Sequence, residues 1–260
     1  MKMTLITGGS GGLGKEFAKL FLKDNNNCLL VGSNKERLEK AKDELKDINE
    51  NMVIDTFVCD LSNPSEYKNV KEYTDSKGYF VNNLVNNAGT GDRCDFIEMD
   101  PDKQVRINNL NINSVVYLTR VYLDDMLKNN EGHIINIGSI AGYVPGPYMS
   151  TYHASKAYLV NFGEAVSYEL RKTNIHLFTY NPGPFESNFV NVAHNDYTFS
   201  KIKPMKVERV AEYGYKMMMK GKVRKIIGFK NKVTCFVPRF FPIRFVTMCS
   251  AGQIKGKTKK

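Results

Sequence analysis

The chain has 260 residues, 42% of them hydrophobic and 25% charged, with a formal net charge of +10 at pH 7. These values describe a globular chain long enough to bury one large core, and they exclude a disordered or low-complexity polypeptide. No apolar run approaches the roughly 18 residues that a bilayer span needs. The opening MKMTLITGGSGG lacks the pattern of a secretory signal. Five cysteines and four histidines are scattered without metal-ligand spacing, so we expect no metal site and a reduced, cytoplasmic setting. The charge is uneven. Residues 201–260 hold 17 Lys or Arg against 2 Asp or Glu, whereas residues 1–200 hold 20 against 25. That asymmetry marks a basic tail on a slightly acidic body.

Short apolar runs alternate with longer amphipathic ones. MTLIT (3–7), CLLVG (28–32), VIDTFVC (53–59), FVNNLV (80–85), HIINIG (133–138) and HLFTY (176–180) predict strands. Residues 15–24, 35–48, 64–76, 102–128 and 152–172 predict helices. Strand–helix alternation predicts an α/β fold, a doubly wound parallel sheet in one domain over 1–227. Such sheets bind ligands beyond the carboxyl ends of their strands. Asn83, inside a run expected to be buried, does not fit that pattern.

The first strand runs directly into TGGSGGLG (7–14). A glycine-rich turn between strand and helix lets backbone approach a diphosphate, and the helix N-terminus offers N–H groups and a positive dipole end. Farther on, STYHASKAYLV (150–160) sets Tyr152 and Lys156 four residues apart, on one face of a helix. An ammonium beside a phenol favours the phenolate, so this pair predicts a Tyr pKa drawn down from about 10. A group so poised donates or accepts a proton at working pH.

The order of these and further motifs resembles the short-chain dehydrogenases/reductases, the type built as a single Rossmann domain. Thr7-Gly8, Gly12 and Gly14 match its cofactor turn, and Tyr152 and Lys156 its YxxxK pair. Asp60-Leu61 follows the third strand, Asn86-Asn87-Ala88-Gly89 the fourth, Ser139 the fifth and Asn181-Pro182-Gly183 the sixth. Asn111, eight residues before Thr119, falls at the family's helix Asn. The match covers about residues 1–190. The resemblance implies transfer of a hydride between a nicotinamide cofactor and a carbonyl or alcohol substrate. Tyr152 would be the general acid, Lys156 its partner and a ribose ligand, and Ser139 the donor to the substrate oxygen. Asn111 would hold a water behind Lys156. The cofactor would lie on Gly8, Ser10, Gly12, Leu13, Gly14, Asp60, Leu61, Asn87, Ala88, Gly89, Tyr152, Lys156, Pro182, Gly183 and Ser187. The alternative is a non-catalytic dinucleotide-binding regulatory protein.

The second strand ends in Gly32-Ser33-Asn34-Lys35-Glu36-Arg37. No carboxylate stands there to take a ribose 2′-hydroxyl, and Ser33, Asn34 and Lys35 suit a 2′-phosphate, so NADP is favoured and NAD kept open. The sequence departs from the family at Asn82, where an Asp is common, and at Ser187, where a Thr is common. Residues 184–206 fall at the family's substrate lid. Phe185, Phe189, Tyr197 and Phe199 would form an apolar wall against the loop 143–149, which favours an apolar or acyl ketone. A homodimer or homotetramer through 102–128 and 152–172 is implied by the same resemblance. The tail 228–260 joins Phe236, Phe240, Phe241 and Phe245 to Arg239, Arg244 and terminal lysines. It suits an anionic membrane surface, an acidic carrier, or plain packing on the body, with Pro238 and Pro242 breaking any continuous helix. Nothing suits nucleic acid.

Overall fold

The computed structural model of the chain describes residues 1–187, 189, 193 and 204–254. Strands β1 (Lys2–Thr7), β2 (Cys28–Gly32), β3 (Ile54–Val58), β4 (Phe80–Asn86), β5 (Gly132–Ile137), β6 (Ile175–Asn181) and β7 (Arg224–Ile226) form one sheet. Every neighbouring pair is parallel and the spatial order is β3-β2-β1-β4-β5-β6-β7. The order reverses between β1 and β4. Their carboxyl ends therefore diverge into crossovers on opposite sides and leave a crevice. A parallel sheet is covered on both faces, which is why its strands are continuous apolar runs rather than alternating ones. On β1, Ile6 joins one core cluster with Phe17, Leu30 and Phe178, while Met3 and Leu5 join the other with Leu84, Leu118 and Tyr122.

Among the described residues the α-helices are α1 (Gly12–Lys23), α2 (Lys35–Leu45), α3 (Tyr67–Ser76), α4 (Pro101–Asn108), α5 (Ser114–Asn129), α6 (Ser150–Glu169), α7 (Val207–Met219), α8 (Phe229–Phe236) and α9 (Ile243–Ile254). Asn34 caps α2, its Oδ1 accepting from the Arg37 N–H at 2.8 Å. Pro101 opens α4 behind an Asp100 cap, where its missing N–H costs nothing.

One expectation needs correction, and two features gain an account. The predicted helix 102–128 is two helices joined by a π-helical turn, Asn109–Asn113. The wider turn follows from Asn111, whose amide bonds to groups outside the helix rather than facing solvent. Asn83 is buried yet paired, its Nδ2 donating to Thr4 Oγ1 at 3.2 Å across the β1–β4 ladder. Its amide therefore belongs to the seam of the sheet. Finally, the basic tail is not a single appendage. After α7, which packs on α1, the chain adds β7 to the sheet edge and returns as α8 and α9 against the body. Pro238 enters a 3₁₀ turn, Val237–Phe240, and Pro242 precedes α9, so both prolines sit at helix ends. Tyr197, Phe199 and most of the segment 184–206 lie outside the described residues.

Candidate active site

The crevice at the β1–β4 divide is stitched by one hydroxyl. Thr7 Oγ1 donates to Val85 O at 3.3 Å and accepts from the N–H groups of Asn87 and Ala88, each at 3.0 Å. Asn87 Nδ2 donates to Thr7 O at 2.9 Å and to Gly8 O at 3.3 Å. These bonds tie the glycine turn to the end of β4. Gly8 adopts φ +64°, and a Cβ at Gly14 would lie 2.4 Å from Gly8 O. The turn thus closes on α1 backbone to backbone, which only glycine permits. No side chain caps α1, and its first turn carries no acid. The N–H groups of that turn are left for an anion.

A cavity of about 480 Å³ runs from this turn along the carboxyl edge of the sheet. Gly8, Ser10, Gly12 and Leu13 of the glycine turn, Asn87, Ala88 and Gly89 after β4, and Ser139, Tyr152, Lys156, Pro182 and Gly183 all line it, with Ser187 set against Gly12, where a Cβ would lie 3.9 Å from its own. A glycine cradle, an uncapped helix start and a buried ammonium in one trough fit an extended dinucleotide with a diphosphate at its middle.

Lys156, one turn after Tyr152 on α6, is 5% exposed. Its Nζ donates to Ile137 O at 2.7 Å and stands 5.8 Å from the centre of the Tyr152 ring. Burial pulls its pKa down to about 8. Burial also pushes the Tyr152 phenol up to about 12, with the neighbouring Ser139 hydroxyl acting the other way. This reverses the expected drop. The Lys156 ammonium donates to a backbone carbonyl, and burial of the phenol disfavours the phenolate more than the Ser139 hydrogen bond favours it. Ser139 Oγ also accepts from the Ala141 N–H at 3.1 Å, so the hydroxyl begins the 3₁₀ turn after β5.

Asn111 does not line the cavity but stands directly behind it. It is fully buried; Oδ1 accepts from the Thr90 N–H at 2.9 Å, and Nδ2 donates to Thr90 O at 2.8 Å and Ser155 Oγ at 3.0 Å. A Cβ at Gly89 would meet Asn111 Oδ1 at 3.3 Å and Lys156 Nζ at 3.5 Å. Asparagine, glycine and lysine therefore converge.

Other predicted contacts lie apart from the cavity. Gly14 packs the turn rather than lining the trough, and Ser33, Asn34 and Lys35 are exposed and not among its lining residues. Leu61 is core. Asp60 Oδ1 accepts from the Ser62 N–H and hydroxyl at 2.9 and 2.7 Å, and Oδ2 accepts from Arg106 at 2.9 Å. Its carboxylate is committed to a turn and an ion pair.

The cavity also includes residues that sequence reasoning missed. Arg37 is among the residues that line the trough, and a charge near the end of the second strand was the only signal. His153 follows Tyr152 and hydrogen-bonds Val144 O through Nδ1 at 2.9 Å. Thr234, Ser250, Gln253 and Ile254 reach the cavity from α8 and α9, with no sequence signal at all.

The family model described as short chain dehydrogenase matches residues 2–198. The chain belongs to the short-chain dehydrogenase family. A 3-oxoacyl-[acyl-carrier-protein] reductase FabG of Rickettsia felis is 33% identical over 190 residues, 73% of this chain and 75% of that protein. A very-long-chain 3-oxoacyl-CoA reductase of Neurospora crassa is 32% identical over 179 residues, 66% of this chain and 53% of that protein. Among solved structures, a short-chain dehydrogenase from Sphingobium yanoikuyae in complex with NADPH superimposes with a TM-score of 0.83, at 22% identity, covering 100% of both chains. Membership makes this an oxidoreductase of the class that uses NAD or NADP, on the single-domain Rossmann sheet expected from the strand order. No helix among the described residues is long and apolar enough to cross a membrane.

Proposed function

We propose that the chain is an NADP-dependent reductase of apolar or acyl ketones, with Tyr152 as the general acid. The observation that carries this reading is that Ser139, Tyr152 and Lys156 line the same trough as an uncapped, acid-free helix start. The nicotinamide supplies the hydride when bound. With its pKa near 12, the Tyr152 phenol keeps its proton at neutral pH and has one to give to a carbonyl oxygen. The Ser139 hydroxyl donates a second hydrogen bond to the same oxygen and stabilises its growing charge. Lys156, protonated below about pH 8, faces the phenolate left behind and holds the cofactor ribose. Asn111 fixes the Thr90 backbone and Ser155 behind that lysine, and so positions its surroundings.

Arg37 and Ser10 in the trough's lining, with no carboxylate on the end of β2, favour a 2′-phosphate. Phe185, Phe189, Met149 and Ile254 give the substrate end an apolar wall, and Phe189 stacks obliquely 5.1 Å from the Tyr152 ring. An acyl chain suits such a wall, in keeping with the 3-oxoacyl reductases among the relatives. For assembly we propose pairing through α4–α5 and α6, where Tyr158 and Tyr168 are exposed.

The test is oxidation of NADPH and of NADH against a panel of 3-oxoacyl thioesters, long-chain ketones and sugars. Turnover of acyl ketones, with NADPH favoured by about tenfold or more, is the expected result. Cofactor binding without turnover across the panel would replace this reading with that of a regulatory dinucleotide-binding protein.

A further inference from the structure

The two C-terminal helices have two unlike faces. Inward, Asn231 lies against Gly183, where a Cβ would come within 2.4 Å of its amide, and Cys235 is buried. Val246, Ser250 and Ile254, spaced four apart, form the buried face of α9, and Arg93 Nε holds the end of that helix through Ile254 O at 3.0 Å. Outward, Phe229, Val233, Phe236, Val237 and Phe240 follow helical spacing along α8 and its 3₁₀ extension, Phe245 and Met248 do so along α9, and Phe241 stands in extended backbone between them. All are exposed, Phe229 at 81%, Phe240 at 72% and Met248 at 64%. Phe236 and Phe240 pack edge to face at 5.2 Å, and Phe241 and Phe245 lie 5.6 Å apart, so the rings cluster on the outside. Contiguous exposed aromatics of this kind mark an interaction surface.

Its charge says what the surface meets. Residues 228–260 contain eight Lys or Arg and no Asp or Glu. Lys230, Lys232, Arg239 and Arg244 interleave with the exposed rings on α8, the 3₁₀ turn and α9. A second copy presenting the same patch would bring like charges together, which disfavours an isologous pairing. Apolar rings bordered by cations alone match an interface with anionic headgroups, where rings enter the acyl boundary and cations stay with phosphate.

We propose that the outward face of α8 and α9 seats the protein on an anionic lipid surface. The inner face of the same helices lines the cavity, so the site stands about one helix diameter, roughly 10 Å, from that surface. The inference holds whatever the site turns over.

The experiment is co-sedimentation of the full chain with vesicles of phosphatidylcholine alone and of phosphatidylcholine with phosphatidylserine. Binding only to the anionic vesicles, weakened by salt, is expected. Phe240→Ser with Met248→Ser should abolish it while the melting temperature and NADPH binding stay unchanged. Arg239→Gln with Arg244→Gln, which alters no apolar side chain, should lower the partition coefficient about fivefold for each charge removed. Absence of binding to anionic vesicles would overturn the proposal, as would binding that both variants keep. Light scattering gives the remaining arms. A dimer that Phe240→Ser with Met248→Ser converts to monomer would assign the face to a second copy. Binding of an acidic carrier protein, lost in the same variant without any vesicle binding, would assign it to a protein.

Discussion

The floor and the roof of the cavity are built on different principles. The floor is the carboxyl edge of the sheet, where Thr7, Asn87 and the glycine turn are locked by hydrogen bonds and by approaches too close for any side chain. The roof is the inner face of α8 and α9, where Thr234, Ser250, Gln253 and Ile254 meet the cavity through side chains on helices carried by the basic tail. A floor made of backbone tolerates little change and suits a ligand whose shape never varies. A roof made of side chains can change without moving the sheet, and suits the part of the reaction in which substrates differ.

Five substitutions test that division. The largest effect is expected from Tyr152→Phe, which removes the proton donor that α6 holds between floor and roof. Turnover should fall about 10³- to 10⁴-fold with NADPH affinity kept within a few-fold, measured by steady-state kinetics and fluorescence titration. Lys156→Met tests the electrostatics beside that donor. The folded-state pKa of Lys156 lies below its unfolded value, so the unfolded chain binds the extra proton between about pH 8 and 10.5. Wild-type stability should therefore gain from this group as pH rises through that window, by up to about 3 kcal/mol, and urea unfolding of the variant should lack that gain. Gly14→Ala should cost about 2 kcal/mol in the same unfolding assay and weaken NADPH, because its Cβ would strike the Gly8 carbonyl. A silent Gly14→Ala would show that the turn yields, and would break the contrast with the roof. Arg37→Ser should weaken NADPH about tenfold and leave NADH unchanged, a comparison made by titrating both. Ile254→Ala, on the roof, should raise the KM for an acyl ketone about tenfold with NADPH affinity unaltered. A fall in NADPH affinity there would mean that roof and floor act as one.

Much of this was legible because the signals are local. Six strands, the glycine turn and the Tyr152–Lys156 spacing depend on chain neighbours one turn or one pleat apart, and the structure places each within a few residues of where the pattern does. Asn83 shows the limit. Its amide looks out of place in a buried run until β1 brings Thr4 across from a distance of 79 residues. Asp60 shows another, since nothing near it in the chain announces that Arg106 arrives from α4 to pair with its carboxylate.

By itself the sequence determined the parallel, doubly wound sheet and therefore the edge at which a site forms. Those follow from hydrophobic period, glycine placement and the handedness of strand–helix–strand units, all of which act over short stretches of chain. Only the tertiary structure decided that Tyr152 titrates high rather than low, that Arg37 rather than Lys35 reaches the trough, and that the basic tail closes over the cavity. Burial, and the meeting of groups a hundred residues apart, are properties of packing. No spacing along the chain encodes how much water a side chain loses when the rest of the molecule arrives.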